Sequence, residues 1–181
     1  AIIKAIEDAD LEILYRRHYH EYDTYFHFDD PSQGQLRYRE DEFIGKDDQV
    51  TKIRYRRTLI GEAREKHFPS DVLLSRSRYY APATHSLRFY KEYFKPSSEP
   101  FIEKVRRRWR VIFRGTEFFI NLDQISQPEL GAFLEVKSRT WSLRDAENKA
   151  EAAEKLIAFL GADPEKKVTQ DYIEYDKENN Q

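Results

Sequence analysis

The N-terminal third of the chain alternates between apolar and polar side chains over long stretches, with aromatic and β-branched residues at many apolar positions. A period of two is typical of β-strands, whose successive side chains point to opposite faces of a sheet. Turn-forming residues interrupt the alternation, most clearly in Asp29-Asp-Pro-Ser-Gln-Gly34. The pattern predicts a helix end at 1–9, strands at 11–28, 35–40 and 50–60, a turn at 29–34 and a polar loop at 42–49.

The rest of the chain combines this alternation with helical signals. Ser142 is a suitable N-cap, and Gly161 is a suitable C-terminal stop for the same helix. Arg114-Gly115-Thr116 suits the turn of a hairpin. We expect a short helix near 70–78, a helix or a strand near 86–94, strands at 101–113, 117–123 and 131–138, a helix from 142 to about 160, and a short helix within 165–175.

The length of 181 residues suits one domain. We place it at 1–175, followed by a flexible tail at 176–181. The elements predict an α+β architecture in which strands are flanked by helices.

Basic residues form one-sided stripes on three of the predicted strands. On the strand at 101–113, Lys104, Arg106, Arg108 and Arg110 share one face. Such a row is self-repelling, so an anion or a set of buried carboxylates must offset it. Asp123 and Glu135 are the acids that we identify near this strand, and they are too few alone. The three stripes are Arg37 and Arg39; Lys52, Arg54 and Arg56; and Lys104, Arg106 and Arg108.

Three interpretations of the stripes stay open at this point. Each stripe could be the solvated face of an antiparallel sheet, which is the usual place for a run of charges. If the sheet closes into a small barrel, the same residues line a cavity and bind phosphate groups. They could also contact nucleic acid, with Tyr and Phe as stacking platforms.

Composition narrows these choices. The formal net charge is only −2 although 35% of residues are charged, so a nucleic-acid partner is not expected. The chain has no cysteine, which excludes disulfides and thiolate metal sites and fits a cytoplasmic protein. No apolar run approaches the roughly 18 residues of a membrane span. Because residue 1 is Ala and not Met, we expect a longer protein, with another domain fused upstream.

Candidate metal ligands are few. Asp123 and Glu135 lie on predicted strands where both could face the cavity and hold Mg²⁺ or Mn²⁺. Each could instead form a structural ion pair with a neighbouring arginine. The five histidines are scattered and predict no zinc site, and the sequence contains no phosphate-binding glycine loop and no serine nucleophile motif.

The order of these segments resembles the CYTH, or triphosphate tunnel metalloenzyme, superfamily. The resemblance extends over about residues 11–175, and its individual motifs are short. The matching segments are Tyr22-Asp-Thr-Tyr-Phe26, Gln35-Leu-Arg-Tyr-Arg39, Arg57-Thr-Leu-Ile-Gly61, Glu103-Lys-Val-Arg-Arg-Arg-Trp109, Ile120-Asn-Leu-Asp-Gln-Ile125, Leu130-Gly-Ala-Phe-Leu-Glu135 and Asp171-Tyr-Ile173.

The resemblance implies a closed, eight-stranded antiparallel β-barrel whose tunnel binds a triphosphate. It implies metal-dependent hydrolysis of inorganic or nucleoside triphosphate, with Glu135 as catalytic residue and metal ligand and Asp123 as a second ligand. It also implies that the cationic stripes grip the phosphates. These residues are Arg37, Arg39, Lys52, Arg54, Arg56, Lys104, Arg106 and Arg108.

Two departures keep a second function open. The family's first strand, Glu-x-Glu-x-Lys, is not found in the sequence, so we expect that it is either missing or located upstream. Lys137 stands where the family has a further acid, two residues after Glu135. These differences favour a non-catalytic domain that senses polyphosphate or a phosphorylated ligand on the same scaffold.

Overall fold

A computed structural model of the chain describes residues 1–8, 11–61 and 76–179. It is an α+β structure with seven strands, four α-helices and two short 3₁₀ turns, at Pro31–Gln33 and Pro164–Lys166. In chain order the elements are α1 (Ile2–Asp8), β1 (Glu12–Phe26), β2 (Gln35–Ile44), β3 (Val50–Gly61), β4 (Arg76–Pro82), α2 (Leu87–Phe94), β5 (Phe101–Phe113), β6 (Thr116–Gln127), β7 (Gly131–Lys137), α3 (Leu143–Phe159) and α4 (Tyr172–Asn179).

All seven strands belong to one antiparallel sheet in the order β4-β3-β2-β1-β5-β6-β7. The expected closed barrel of eight strands is not found in the described part of the chain, where seven strands form an open sheet. Across the described residues β4 and β7 are the two edges and do not pair with each other. Closure would need a continuous ladder between those edges, and the short β4 and β7 do not supply it.

The sheet nevertheless curls strongly. Arg37 of β2 acts electrostatically on Lys137 of β7, helping to lower the pKa of that lysine, although the two strands are four places apart. In a flat sheet the spacing of about 4.8 Å per strand would separate them by about 19 Å. Curling brings such distant strands within electrostatic range and makes one face concave.

The convex face holds the main apolar core. Alternate residues of β5, β6 and β7 pack there against α1 and α3. Trp109 and Phe118 are 3% and 0% exposed. At about 25 cal/mol per Å² of buried apolar surface, such side chains each stabilise the fold by about 2–3 kcal/mol. The rest of this core comprises Ile6, Val111, Phe113, Ile120, Leu156 and Leu160.

Two smaller helices cover other parts of the sheet. Helix α2 begins after the N-cap Ser86 and packs Tyr90 against the convex side of β1 and β2. Helix α4 packs Ile173 and Tyr172 against Ile102 and Ile125 at one end of the concave face. Helix α3 begins at the expected Ser142 cap, whose side chain accepts from the backbone N–H of Asp145. None of the described helices is long and apolar enough to cross a bilayer.

Most predicted elements are confirmed, with several differences. Strand β2 continues to Ile44, into the predicted loop at 42–49, and β6 continues to Gln127, beyond the predicted end at 123. The helix predicted near 70–78 lies mostly outside the described residues, and its last three positions belong to strand β4. Pairing with β3 determines the conformation there. Helix α4 continues to Asn179, beyond residue 175 where the sequence analysis ended the domain. Within residues 86–94, where a helix or a strand was possible, the structure has α2.

Candidate functional site

The concave face of the sheet, which we call the inner face, carries most of the predicted site residues. Its side chains point away from α1, α2 and α3, and strand register brings the three basic stripes together on it. Among the described residues it has eleven cations and seven carboxylates. The cations are Arg17, Arg37, Arg39, Lys52, Arg54, Arg56, Lys104, Arg106, Arg108, Arg110 and Lys137, and the carboxylates are Glu12, Glu21, Asp23, Asp41, Glu117, Asp123 and Glu135.

Glu21 and Asp23 of β1 lie at the centre of the inner face. Arg39 of β2 donates to both oxygens of Asp23, and its Nη1 lies 3.1 Å from Glu21. Lys104 of β5 donates to Asp23 at 2.7 Å, and Arg106 of β5 lies 3.4 Å from Glu21. All five residues are at most 5% exposed. Their opposite charges therefore offset one another almost out of contact with water, with one positive charge in excess.

The pKa values of this cluster follow from the balance between burial and charge. Burial raises the pKa of Glu21, but three neighbouring cations, Arg106 most strongly, outweigh it and hold the pKa below its ordinary value. Asp23 behaves in the same way, with Arg39 as its strongest partner. For Lys104 burial dominates, and its pKa is lowered despite the adjacent carboxylates. The two acids are therefore ionised at neutral pH.

The third buried carboxylate, Asp41 of β2, is 0% exposed and holds the stripe of β3. Arg54 donates to it from Nε at 3.0 Å, and Arg56 donates from Nη2 at 2.7 Å. Lys52 is exposed, with its ammonium 5.8 Å from the ring centroid of Phe43. The stripe is thus unpaired at Lys52, near the start of β3, and paired at Arg54 and Arg56.

Asp123 is enclosed by a different set of donors. Arg106 donates to both of its oxygens, at 2.6 Å from Nε and 2.5 Å from Nη2, and the Tyr172 hydroxyl of α4 donates at 2.7 Å. Burial raises the pKa of Tyr172, as does the negative charge of Asp123, so the phenol keeps its proton. Asp123 is 0% exposed. This is the structural ion pair that the sequence analysis left as an alternative.

Glu135 of β7 is the more accessible of the two predicted metal ligands, with a side chain 30% exposed. Lys137 lies 2.6 Å from its Oε1, while Asn121 and Arg106 donate to its Oε2 at 2.8 and 3.3 Å. Burial favours the protonated acid, but Lys137 and Arg106 outweigh it and lower the pKa of Glu135. The carboxylate is therefore ionised at the open part of the inner face.

Arg108 is a partly buried cation on this face without an acidic partner. Arg108 donates to the amide oxygen of Asn121 at 2.7 Å, but no carboxylate of the described residues lies within ion-pair distance. Burial lowers the pKa of Arg108, and Arg106 lowers it further. Arg17 is directly opposite Arg108 in the register of β1 and β5, an arrangement that is destabilising without an anion. Arg17, Arg108, Asn121 and Glu135 form one row across four strands.

The donor set fits a metal ion only in part. Among the described residues no group of three or more histidine, aspartate or glutamate side chains is arranged to hold one. Asp123 has both oxygens engaged and no exposure. Glu135 fits better, because Mg²⁺ is usually bound by one or two carboxylates together with substrate phosphates and water.

Sequence reasoning located the cations but missed Glu21, Asp23 and Asp41. It counted only the acids beside the strand at 101–113. A usable signal was present, because these three acids occupy alternate positions on β1 and β2, and such positions share a face. Which face they share depends on register, so the signal identifies a set of residues and not its partners.

Comparison with known proteins adds information on the fold. No known protein-family model and no curated protein matches this sequence. The solved structure of the PH1819 protein from Pyrococcus horikoshii OT3 is similar, with a TM-score of 0.68 over 98% of this chain and 92% of that one. The two sequences are 21% identical. This likeness supports the α+β architecture and says nothing of activity.

Proposed function

We propose that the inner face binds the triphosphate group of a small molecule, or inorganic polyphosphate, and hydrolyses it with Mg²⁺ or Mn²⁺. The observation that carries the proposal is the excess of cations over carboxylates on a concave face. Arg108, which has no acidic partner, is part of this excess. Arginine matches phosphate through two parallel N–H donors, and partial burial strengthens that attraction.

The residues of the row across β1, β5, β6 and β7 have distinct roles in this proposal. Arg108 and Arg17 bind phosphate oxygens, which relieves their mutual repulsion. Glu135 is the protein ligand of a divalent ion that arrives with the substrate. Such an ion polarises the phosphoryl group that is attacked by water. Arg106 holds Asp123 and Glu135 in place and adds positive charge where negative charge develops.

The proposed phosphate binding does not depend on a closed tunnel. A closed tunnel would need a further strand between β4 and β7. Binding requires only the concave face, because the cations that we assign to phosphate lie on β1, β2, β3 and β5. The cytoplasmic location and the lack of a nucleic-acid partner stay predictions from the sequence.

Binding without turnover is the second candidate. The close contact between Lys137 and Glu135 favours it, because a lysine 2.6 Å from the metal-ligand candidate competes with a divalent cation for the same oxygen. In this form the domain senses polyphosphate or a phosphorylated ligand. Lys137 then stabilises Glu135 permanently, and no metal is needed.

The experiment measures phosphate release from tripolyphosphate and from ATP with Mg²⁺ or Mn²⁺, together with the melting temperature in each mixture. Hydrolysis predicts release that a Glu135→Gln variant loses, with a ligand-induced rise in melting temperature in both proteins. A rise without release above that variant supports the sensor. No rise and no release would remove both candidates.

A further inference from the structure

A cavity lies on the opposite side of the sheet from the inner face. It has a volume of about 450 Å³ and lies between the convex side of β1–β3 and the start of α2. This is within the usual size range of small-molecule sites. We call it the Tyr–Glu pocket, after Tyr22, Tyr38, Tyr55 and Glu40, which line it together with Phe101 and the segment 83–87.

Strand register gives the pocket an ordered floor. Tyr55 of β3 is directly opposite Glu40 of β2, and Glu40 is directly opposite Tyr22 of β1. Glu103 of β5 follows in the same row. Aromatic rings and carboxylates therefore alternate across four strands. The rings of Tyr38 and Tyr55 extend this surface, with centroids 6.4 Å apart.

The charges around the pocket are mostly negative. Burial raises the pKa of Glu40, and the neighbouring Glu42 raises it further. Burial also raises the pKa of Tyr22, and three carboxylates, those of Glu42, Glu103 and Glu40, add to the effect. His20 contacts Glu103 at 3.0 Å and the Tyr22 hydroxyl at 3.0 Å. Glu40 itself has no ion-pair or hydrogen-bond partner among the described side chains.

Positive groups near the pocket are already engaged. Arg57, opposite Tyr38 in the register, donates to the Tyr90 hydroxyl and lies 5.6 Å from that ring centroid. The backbone N–H groups of Thr84 and His85 donate to the same hydroxyl. The Ser86 side chain caps α2. These donors are therefore already bonded to Tyr90, and Glu40 is the one Asp, Glu, Lys or Arg side chain among the described residues that line the pocket.

An unpaired carboxylate between tyrosine rings is the arrangement that recognises organic cations. Aromatic faces attract ammonium groups, and a desolvated carboxylate adds a charge partner. We propose that the Tyr–Glu pocket binds a small organic ammonium ion, with Glu40 opposite the charge and Tyr38 and Tyr55 against its apolar surface. This site is independent of triphosphate binding, because it uses the other face of the same strands.

Matched probes test the assignment. Nuclear magnetic resonance titrations compare choline with 3,3-dimethylbutanol and butylammonium with butanol, so that each pair differs mainly in charge. We expect at least one ammonium ion to bind about tenfold more tightly than its neutral partner, which corresponds to about 1.4 kcal/mol. Equal affinities within both pairs would overturn the proposal.

Variants locate the site. The Glu40→Gln variant is expected to lose most of the preference for the charged ligand. The Tyr55→Leu variant is expected to bind the ammonium ion about fivefold more weakly. Glu92→Gln is the matched control, because Glu92 is on α2 with a side chain 73% exposed and is not part of the pocket. A preference for charge that survives Glu40→Gln would overturn the proposal. Nα-acetyl-lysine methylamide, whose ε-ammonium group is free, represents a lysine in a protein. Tighter binding of this compound than of either small ion would also overturn the proposal, in favour of a lysine from a protein partner.

Discussion

The inner face and the Tyr–Glu pocket are built from opposite sides of the same strands and treat charge in opposite ways. On β2, Arg37 and Arg39 point to the inner face, while Tyr38 and Glu40 point to the pocket. The inner face is a crowded network in which buried acids hold buried cations. The pocket is an open cavity with an acid that nothing neutralises. Because side chains alternate along β2, its arginines lie on one side of the sheet and Glu40 lies on the other.

The comparison also separates two energetic situations. In the buried centre of the inner face each ion has a partner of opposite charge, so removal of one leaves other buried charges uncompensated. In the pocket Glu40 bears a cost of burial without compensation, and its removal leaves nothing unpaired. Stability should therefore depend strongly on the first region and hardly on the second. The following four predictions test this difference, beginning with the largest effect.

Replacing Asp23 with asparagine should be the most damaging single change in the inner network. It leaves Arg39 and Lys104 buried without their main partner, and such losses typically cost about 3–5 kcal/mol of unfolding free energy. Urea denaturation of the two proteins measures the difference. Glu117→Gln is the control, since Glu117 pairs with Arg110 near the rim and should cost under about 1 kcal/mol. Similar losses in both variants would contradict the proposed difference between buried and rim pairs.

Acid should unfold the protein through the same carboxylates. The pKa values of Glu21 and Asp23 are lower in the folded state than the unfolded values near 4. Their stabilisation is therefore complete above about pH 4 and is lost as the pH falls through the lowered values. Unfolding free energies measured from pH 7 to pH 2 should show this decline, and Asp23→Asn should make it shallower. An unchanged slope in that variant would contradict the assignment.

Arg108→Gln should separate ligand binding from stability. Because Arg108 has no acidic partner, we expect its loss to change unfolding free energy by under about 1 kcal/mol without ligand. Tripolyphosphate affinity should fall about tenfold, as measured by calorimetry. Arg88→Gln is the matched control, because Arg88 lies on α2 with a side chain 88% exposed. Equal affinity of the two variants would count against Arg108 as a phosphate ligand.

Glu40→Gln should have the smallest effect on stability, and a favourable one. The pKa of Glu40 is raised in the folded state, so its charged form is disfavoured there and stability is lost as the pH rises through that value. The amide removes this loss, and we expect a gain of up to about 0.5 kcal/mol at neutral pH. Thermal unfolding at pH 7 and pH 4 checks it. A clear loss of stability at pH 7 would show that Glu40 has a structural partner.

The sequence predicted much of the fold because its strands have clear patterns. The period of two identified β1, β3 and β5 nearly to their observed ends and the start of β2 but not its end, and Ser142 identified the start of α3. The described part of residues 62–100 was harder to predict. Strand β4 lacks β-branched residues, and both a helix and a strand were possible where α2 lies. Local propensity is weak where pairing with a neighbouring strand decides the outcome.

The site was predicted in part for the same reason. Alternation alone placed Lys104, Arg106 and Arg108 on one face, and the structure agrees. Alternation could not show that Arg106 would be 3% exposed beside Glu21 while Lys52 would be exposed. Burial depends on how far the sheet curls and on which strands are neighbours. A solvated stripe and a buried one have the same sequence pattern.

The sequence by itself determined which residues share a side of each strand, because the backbone alternates them regardless of context. It therefore determined that the basic stripes would be continuous and that Glu40 would lie apart from Arg39. Only the tertiary structure decided that the sheet is open yet curled, that Asp23 of β1 lies between Arg39 and Lys104, and that the segment leading into α2 borders a cavity beside Glu40. These facts depend on contacts between residues far apart in the chain, and the energy of a buried charge depends on all of its neighbours at once.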